Sequence, residues 1–452
     1  MLGIEDKLFA IFFSFCMLAQ AYIIRLVVGT YIFPAVFFSF AWFIFTFVPL
    51  VILARVPINP LSILFILACT TAFTLSSTPF NWSRAIVQNS VKEKDLNYLF
   101  RSRAIHYFLY LFAVLSVVTA TLNMISNGFD LHSVFFNLLK TSGKFAELRG
   151  HGNTGYGALG VISIFFTYMT PILGGFVIGA KKTLPKRILF LFIAIAPAIY
   201  FMLIQSSKIV ALTAIVFLLS SMVLMKIFSG KLDFSIKLLD GVKIVVLLFI
   251  LFSFVMVSFV SRGGYSDFSN TSAALKKLFY AFNSYAFGQP YAFSDFFSYY
   301  LGMPSFRNYQ DDFYSYGYYT FKPIFDALGG TKSFPPGFYD IGFSFGQLFE
   351  TVIFTAFRGL IVDFGALGTI VFMYIFGYIS HFFYYRLLYF RNSWVACIVF
   401  MAVMNFIALS YLISVFTSRY MFLIGLSLFF ILKINNIISK KRKNLSHLTA
   451  SL

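Results

Sequence analysis

Four cations stand at the edges of apolar runs in this chain: Arg149 in KFAELRGHGNTGYG, Lys208 in IQSSKIVAL, Arg262 in SFVSRGGYS and Arg358 in FTAFRGLIVDFGALG. A basic side chain facing hydrocarbon is strongly unfavourable, so each needs a negative partner or water. A guanidinium matches phosphate oxygens through a two-point fork, an ammonium adds a point charge, and a diphosphate has the size to engage several cations at once. The glycines beside Arg149 and Arg262 let backbone amides approach an anion as well. The pattern therefore suits anion binding. The plainer alternative is pairing with acids such as Glu147 and Asp363, or snorkelling toward lipid headgroups.

The elements that must position these cations follow from composition. Of 452 residues, 60% are hydrophobic and 11% charged. Apolar runs of about 20 residues, the length that crosses a bilayer, recur along nearly the whole chain. The expected fold class is an all-α polytopic integral membrane protein with eleven spans near 8–26, 31–53, 60–79, 104–125, 159–180, 187–205, 209–228, 243–261, 359–382, 394–416 and 420–437. A single soluble core is excluded, because it could not hide this much Phe, Leu and Ile. The implied organisation is N-terminal spans (1–126), a first outer loop (127–158), central spans (159–261), a large outer loop carrying short helices (262–358), C-terminal spans (359–437) and a basic tail (438–452).

A net charge of +19 raises the question of nucleic acid, but the basic residues sit in short clusters between apolar runs. KKTLPKR at 181–187, the stretch 226–243, RLLYFRNS at 386–393 and KKRK at 440–443 read as cytoplasmic topology signals, and no nucleic-acid partner is expected. An odd span count with the tail inside puts the weakly acidic start, MLGIEDK, outside. The first apolar run is too long for a signal-peptide core and is taken as a mature helix. Cys16, Cys69 and Cys397 are isolated within apolar runs and read as small packing residues.

The large outer loop holds seven of the sixteen acids, Asp267, Asp295, Asp311, Asp312, Asp326, Asp340 and Glu350, together with seven lysines and arginines. It is also dense in aromatics, as in YYLGMPSFRNYQDDFYSYGYYTFKP, which argues for packing rather than disorder. Aromatic faces beside hydroxyls, amides and carboxylates suit sugars, whose rings offer CH faces for stacking and hydroxyls for hydrogen bonds. An ordinary interfacial belt would give much of the same signal. VDFG matches the kinase metal-binding motif, but no HRD segment or glycine-rich phosphate loop accompanies it. On a helix Arg358 and Asp363 lie about 140° apart, so they cannot form an i,i+4 pair. Arg358 is expected to face a ligand, Asp363 to brace the helix, and glycines 365 and 368 to allow close helix packing.

Together, FTAFRGLIVDFGALG after the long outer loop, ELRGHG in the first outer loop, the cation in SSKIVAL, VSRGG and SVFTSRYMF resemble the Wzy-type polymerases of lipid-linked repeat units, the O-antigen and enterobacterial common antigen polymerase group. The likeness spans 127–422. Lys208 stands where relatives often carry arginine, which removes the two-point contact there.

The resemblance implies an inner-membrane glycosyltransferase of GT-C-like plan acting in polysaccharide biosynthesis. Donor and acceptor are undecaprenyl-diphosphate-linked oligosaccharides, the active site is periplasmic, and a Wzz-type chain-length regulator is the expected partner. In that scheme Arg149, Lys208, Arg262 and Arg358 stabilise the departing diphosphate. Arg419 is a further candidate contact. Asp295, Glu350 and His151 are the candidate bases for the acceptor hydroxyl. No cluster has metal-ligand spacing, and neither metal nor cofactor is expected. Two rival readings remain: an O-antigen ligase, and a lipid-linked oligosaccharide flippase or transporter. Flippases usually show two related halves.

Overall fold

The computed structural model describes residues 3–91, 103–150, 157–181, 183–230, 232, 271–311, 313–330, 338–390 and 393–450. The expected span at 243–261, Arg262 and His151 fall outside these residues, as does the side chain of Arg149.

In chain order the helices are α1 (Ile4–Val28), α2 (Pro34–Ile52), α3 (Pro60–Leu75), α4 (Trp82–Val91), α5 (Arg103–Ser126), α6 (Leu131–Phe136), α7 (Leu138–Gly150), α8 (Gly157–Ala180), α9 (Leu184–Gln205), α10 (Lys208–Phe228), α11 (Thr271–Ala286), α12 (Gln289–Tyr300) and α13 (Lys322–Ala327). Strands β1 (Phe338–Phe345) and β2 (Phe349–Ile353) follow, then α14 (Ala356–Tyr389), α15 (Trp394–Leu409), a 3-10 turn at Val415–Thr417 and α16 (Arg419–Ala450).

Among the described residues eight helices are long and apolar enough to cross a membrane: α1, α2, α5, α8, α9, α10, α14 and the Arg419–Ile438 part of α16. The expected spans at 60–79 and 394–416 form shorter apolar helices, Pro60–Leu75 and Trp394–Leu409. Sixteen residues rise only about 24 Å at 1.5 Å per residue, less than a hydrocarbon layer of about 30 Å. The chain is thus a multi-pass, mostly helical membrane protein. The all-α expectation needs one correction: the long segment before α14 also carries an antiparallel β-hairpin, β1 paired with β2, with a register irregularity between Phe338 and Phe343. Its sequence, FYDIGFSF followed by FETVI, is rich in the aromatic and β-branched residues that favour a pleated surface.

The chain divides into two compact units, comprising 1–86, 275–386 and 402–421 in one, and 87–274, 387–401 and 422–452 in the other. In the first, α1, α2 and α3 pack together around the Gln20 side chain. Its Nε2 donates to the Thr70 carbonyl (3.0 Å), Ser39 Oγ (3.1 Å) and Thr74 Oγ1 (2.6 Å), while its Oε1 accepts from Thr71 Oγ1 (3.1 Å). Such satisfied amides join helices where apolar surfaces alone give no preference over lipid. Asn59 caps α3 through the Leu61 amide (3.0 Å), and its backbone amide and Nδ2 donate to Ser294 Oγ (2.8 Å) and Ser298 Oγ (2.9 Å), tying α12 to the start of α3.

In the second unit α5, α8, α9 and α10 pack side by side. The GGFVIG stretch of α8 makes this possible: a Cβ at Gly175 would stand 2.7 Å from the Leu218 carbonyl oxygen, and one at Gly179 would stand 2.7 Å from Met225 Cβ. Small residues let helix backbones approach closely, which is what membrane helices gain from. After α5 come α6 and α7, of which α7 packs against α9. Phe135 of α6 stacks on Tyr200 of α9 at 6.1 Å between ring centres, and the Tyr200 hydroxyl bonds Thr121 of α5 at 2.7 Å.

Candidate functional site

The first unit contains the clearest concentration of buried charge, at the start of α14. The helix begins at Ala356, whose amide donates to the Ser410 carbonyl (2.8 Å), and it is interrupted at Gly365, where φ is 69° and ψ is 176°. An interrupted helix leaves carbonyls of one segment and amides of the next without helical partners. The segment before α14 supplies them. Tyr314 and Ser315 amides donate to the Val362 carbonyl (2.7 and 3.2 Å), the Tyr316 amide to the Asp363 carbonyl (3.0 Å), and the Ala366 amide donates to the Tyr300 hydroxyl (3.1 Å). Only glycine takes this backbone at 365 without strain, and a Cβ there would also stand 3.0 Å from the Tyr314 ring. Gly365 therefore does something other than the helix packing expected of it.

Two buried charges fix the same loop. The Asp363 carboxylate, fully buried, accepts from Ser315 Oγ, the Tyr319 amide (2.9 Å) and the Thr320 amide (2.7 Å). Arg358 is 2% exposed and forks onto Asp311: Nε donates to Oδ2 at 3.2 Å, and Nη2 to Oδ1 and Oδ2 at 3.0 and 2.9 Å. Its guanidinium lies among the rings of Tyr339, Phe354, Phe296 and Tyr309, at 3.5, 4.1, 4.8 and 4.8 Å from their centres. The low dielectric and the ring quadrupoles both favour keeping this cation paired and stacked. Burial holds the Tyr339 and Tyr309 hydroxyls far above the ordinary tyrosine range, so both stay neutral donors. The five-residue spacing puts Arg358 and Asp363 on different faces, yet Asp311 meets the first while Ser315, Tyr319 and Thr320 meet the second.

The other sequence candidates are dispersed. Asp295 on α12 is buried, and its oxygens accept from the Phe306 amide (2.6 Å), the Arg307 amide (3.2 Å) and the Tyr309 hydroxyl (2.8 Å). Burial pushes its carboxyl above the usual range, and those three donors pull it partly back. With these contacts Asp295 holds the turn after α12 in place. Glu350 on β2 is exposed, with the Tyr280 hydroxyl 3.5 Å away and its own amide bonded to Ser284 Oγ at 3.0 Å. Of the two candidate bases among the described residues, it is the one with an open approach. Arg419 opens α16 and is exposed. Lys208, in the second unit, is the first residue of α10 and is half-buried.

Sequence reasoning missed Asp311 as the anion answering Arg358. Its place among seven acids of one loop carried no signal, since the pairing spans 47 positions. It also missed the ring box formed by Tyr309 and Tyr339. Among the described residues no three His, Cys, Asp or Glu side chains stand together as a metal site would need. No protein-family model matches the chain, and neither does any curated protein or solved structure.

Proposed function

We propose that this chain is an inner-membrane glycosyltransferase of the Wzy type. It takes a growing glycan from undecaprenyl diphosphate and transfers it, on the periplasmic side, to the non-reducing end of a new lipid-linked repeat unit. The observation that carries this reading is the outer segment: an aromatic, polar layer from α12 to β2, anchored on the broken helix by Arg358 and Asp363. Tyr314 and Tyr316 in this layer are 55% and 79% exposed. Exposed rings on a rigid support beside carboxylates suit stacking and hydrogen bonding to pyranose rings.

In this mechanism an acceptor hydroxyl oxygen bonds to the anomeric carbon as the bond from that carbon to the diphosphate breaks. The electron pair leaves with the diphosphate, and the hydroxyl proton passes to a base. Glu350 is the candidate for that base, because the oxygens of Asp295 are already engaged. Cations that stabilise the leaving diphosphate supply the largest contribution. Because Asp311 already answers Arg358, Arg358 acts by holding the segment before α14, and Arg149, Lys208, Arg262 and Arg419 remain the sequence candidates for the diphosphate.

The test is the surface-polysaccharide gel profile of the source bacterium after deletion of the gene. The expected result is replacement of the long-chain ladder by a single-repeat band, reversed by the wild-type gene. Arg358→Ala and Asp311→Ala should both fail to restore the ladder although each protein reaches the membrane. Loss of every glycan-bearing band would instead favour the flippase or ligase.

A further inference from the structure

In the second unit, α9 and α10 are joined by a very short turn, with Ser206 in the left-handed region at φ 52° and ψ 31°. Gln205 and Ser206 are 0% and 2% exposed. Both ends of the Gln205 amide, Nε2 and Oε1, and the Ser206 Oγ lack any hydrogen-bond partner. Asn123 Nδ2, near the C-terminus of α5, and Ser142 Oγ on α7, which packs against α9, are likewise buried and unpartnered. Native interiors rarely leave polar groups in this state, and several at one end of one helix cluster demand an explanation.

The local backbone suggests one. A helical residue followed by a left-handed one sets successive amides in a concavity that receives anions. Here that turn leads directly into the N-terminus of α10, a helix of 21 residues beginning at Lys208. The partial positive charge of a helix start favours a phosphate. The Gln205 amide needs an acceptor for its Nε2 and also a donor for its Oε1. Inorganic phosphate adds at most one P–OH donor to its acceptor oxygens, whereas a sugar phosphate offers phosphate oxygens and several hydroxyl donors together.

We propose that the Gln205–Ser206 turn and the N-terminus of α10 form a binding site for a glycosyl phosphate ester, the Gln205 amide bridging a phosphate oxygen and a sugar hydroxyl. This rests on the glycosyltransferase reading and names the part of the lipid-linked sugar that this unit holds. The polar atoms are sealed from solvent, so a ligand must open the turn to reach them.

The experiment uses the full chain in nanodiscs with three probes: farnesyl-diphosphate-linked glucose, inorganic pyrophosphate and the headgroup of phosphatidylglycerol. Binding is read by calorimetry and by the shift of the thermal midpoint. The wild type should bind the glycosyl probe at least about tenfold more tightly than pyrophosphate or the lipid headgroup, the tenfold corresponding to one well-made contact. Gln205→Met keeps the volume and removes the amide; it should raise the probe-free midpoint by about 2–4 °C and weaken the glycosyl probe at least about tenfold. Ser206→Gly suits the left-handed backbone, so it keeps the fold regardless, and it should weaken the probe several-fold.

Unchanged affinity in both variants overturns the site while leaving the polymerase reading to its gel ladder. A wild type that prefers the lipid headgroup overturns it in favour of a structural lipid. Failure to bind any probe overturns it as well.

Discussion

The region around the start of α14 and the turn between α9 and α10 handle buried polarity differently. In the first, Nε and Nη2 of Arg358 and the carboxylates of Asp363 and Asp295 meet acceptors or donors that answer them, with Arg358 Nη1 left without a hydrogen-bond partner, and these contacts tie the segment before α14 to the helix. In the second, Gln205, Ser206 and Asn123 are just as buried, yet their side-chain groups are left unpartnered. A satisfied network in a low dielectric rigidifies what it joins. An unsatisfied one lowers stability unless something else completes it. The first arrangement suits a scaffold and the second a place where a ligand arrives.

That contrast is broken most directly at the Arg358–Asp311 pair. Arg358→Leu should lower the stability of the chain by about 3–5 kcal/mol, the usual loss when one member of a buried pair is removed. Asp311→Leu should act in the same direction, and the double variant should lose less than the sum of the two singles. Thermal unfolding of the three variants in nanodiscs measures this. Singles that unfold like the wild type would show that the pair does not anchor the loop.

A smaller effect is expected at the helix break. Gly365→Ala forces an L-residue into a left-handed backbone (φ 69°) against the Tyr314 ring, at a loss of about 1–2 kcal/mol. Limited proteolysis should then cut residues 311–320 faster than in the wild type. Equal cutting rates would mean that the loop does not depend on the break.

The smallest effect concerns pH. Burial raises the Asp295 carboxyl above its ordinary value. The stabilisation linked to that shift is present in full below the unfolded-state value of about 3.9 and declines as pH rises through the raised one. The thermal midpoint of the wild type, taken relative to Asp295→Asn, should therefore fall from acid toward neutral pH. A difference that rises with pH would mean that the three donors outweigh burial.

Much of the fold was legible in the sequence because spans are written in composition. Residues 8–26, 104–125, 187–205 and 209–228 lie within α1, α5, α9 and α10 because lipid imposes a length and a polarity on any helix that crosses it. The short helices α3 and α15 were overextended: apolar residues continue past the end of α15, whereas after α3 the stretch SSTP already marks the turn. The β-hairpin was hidden inside a loop expected to carry short helices. The break at Gly365 could not be separated from ordinary helix-packing glycine, because glycine serves both uses.

By itself, then, the sequence determined a multi-pass membrane protein, the placement of its apolar helices and the unusual character of residues 262–358. Hydrophobic length is a local property, and any window of the chain carries it. Only the tertiary structure decided that Arg358 meets Asp311, that Asp363 caps residues 315–320, and that Gln205 and Ser206 are buried without partners. Pairing and burial depend on which distant segments meet, and nothing in the spacing of charges along the chain specifies that.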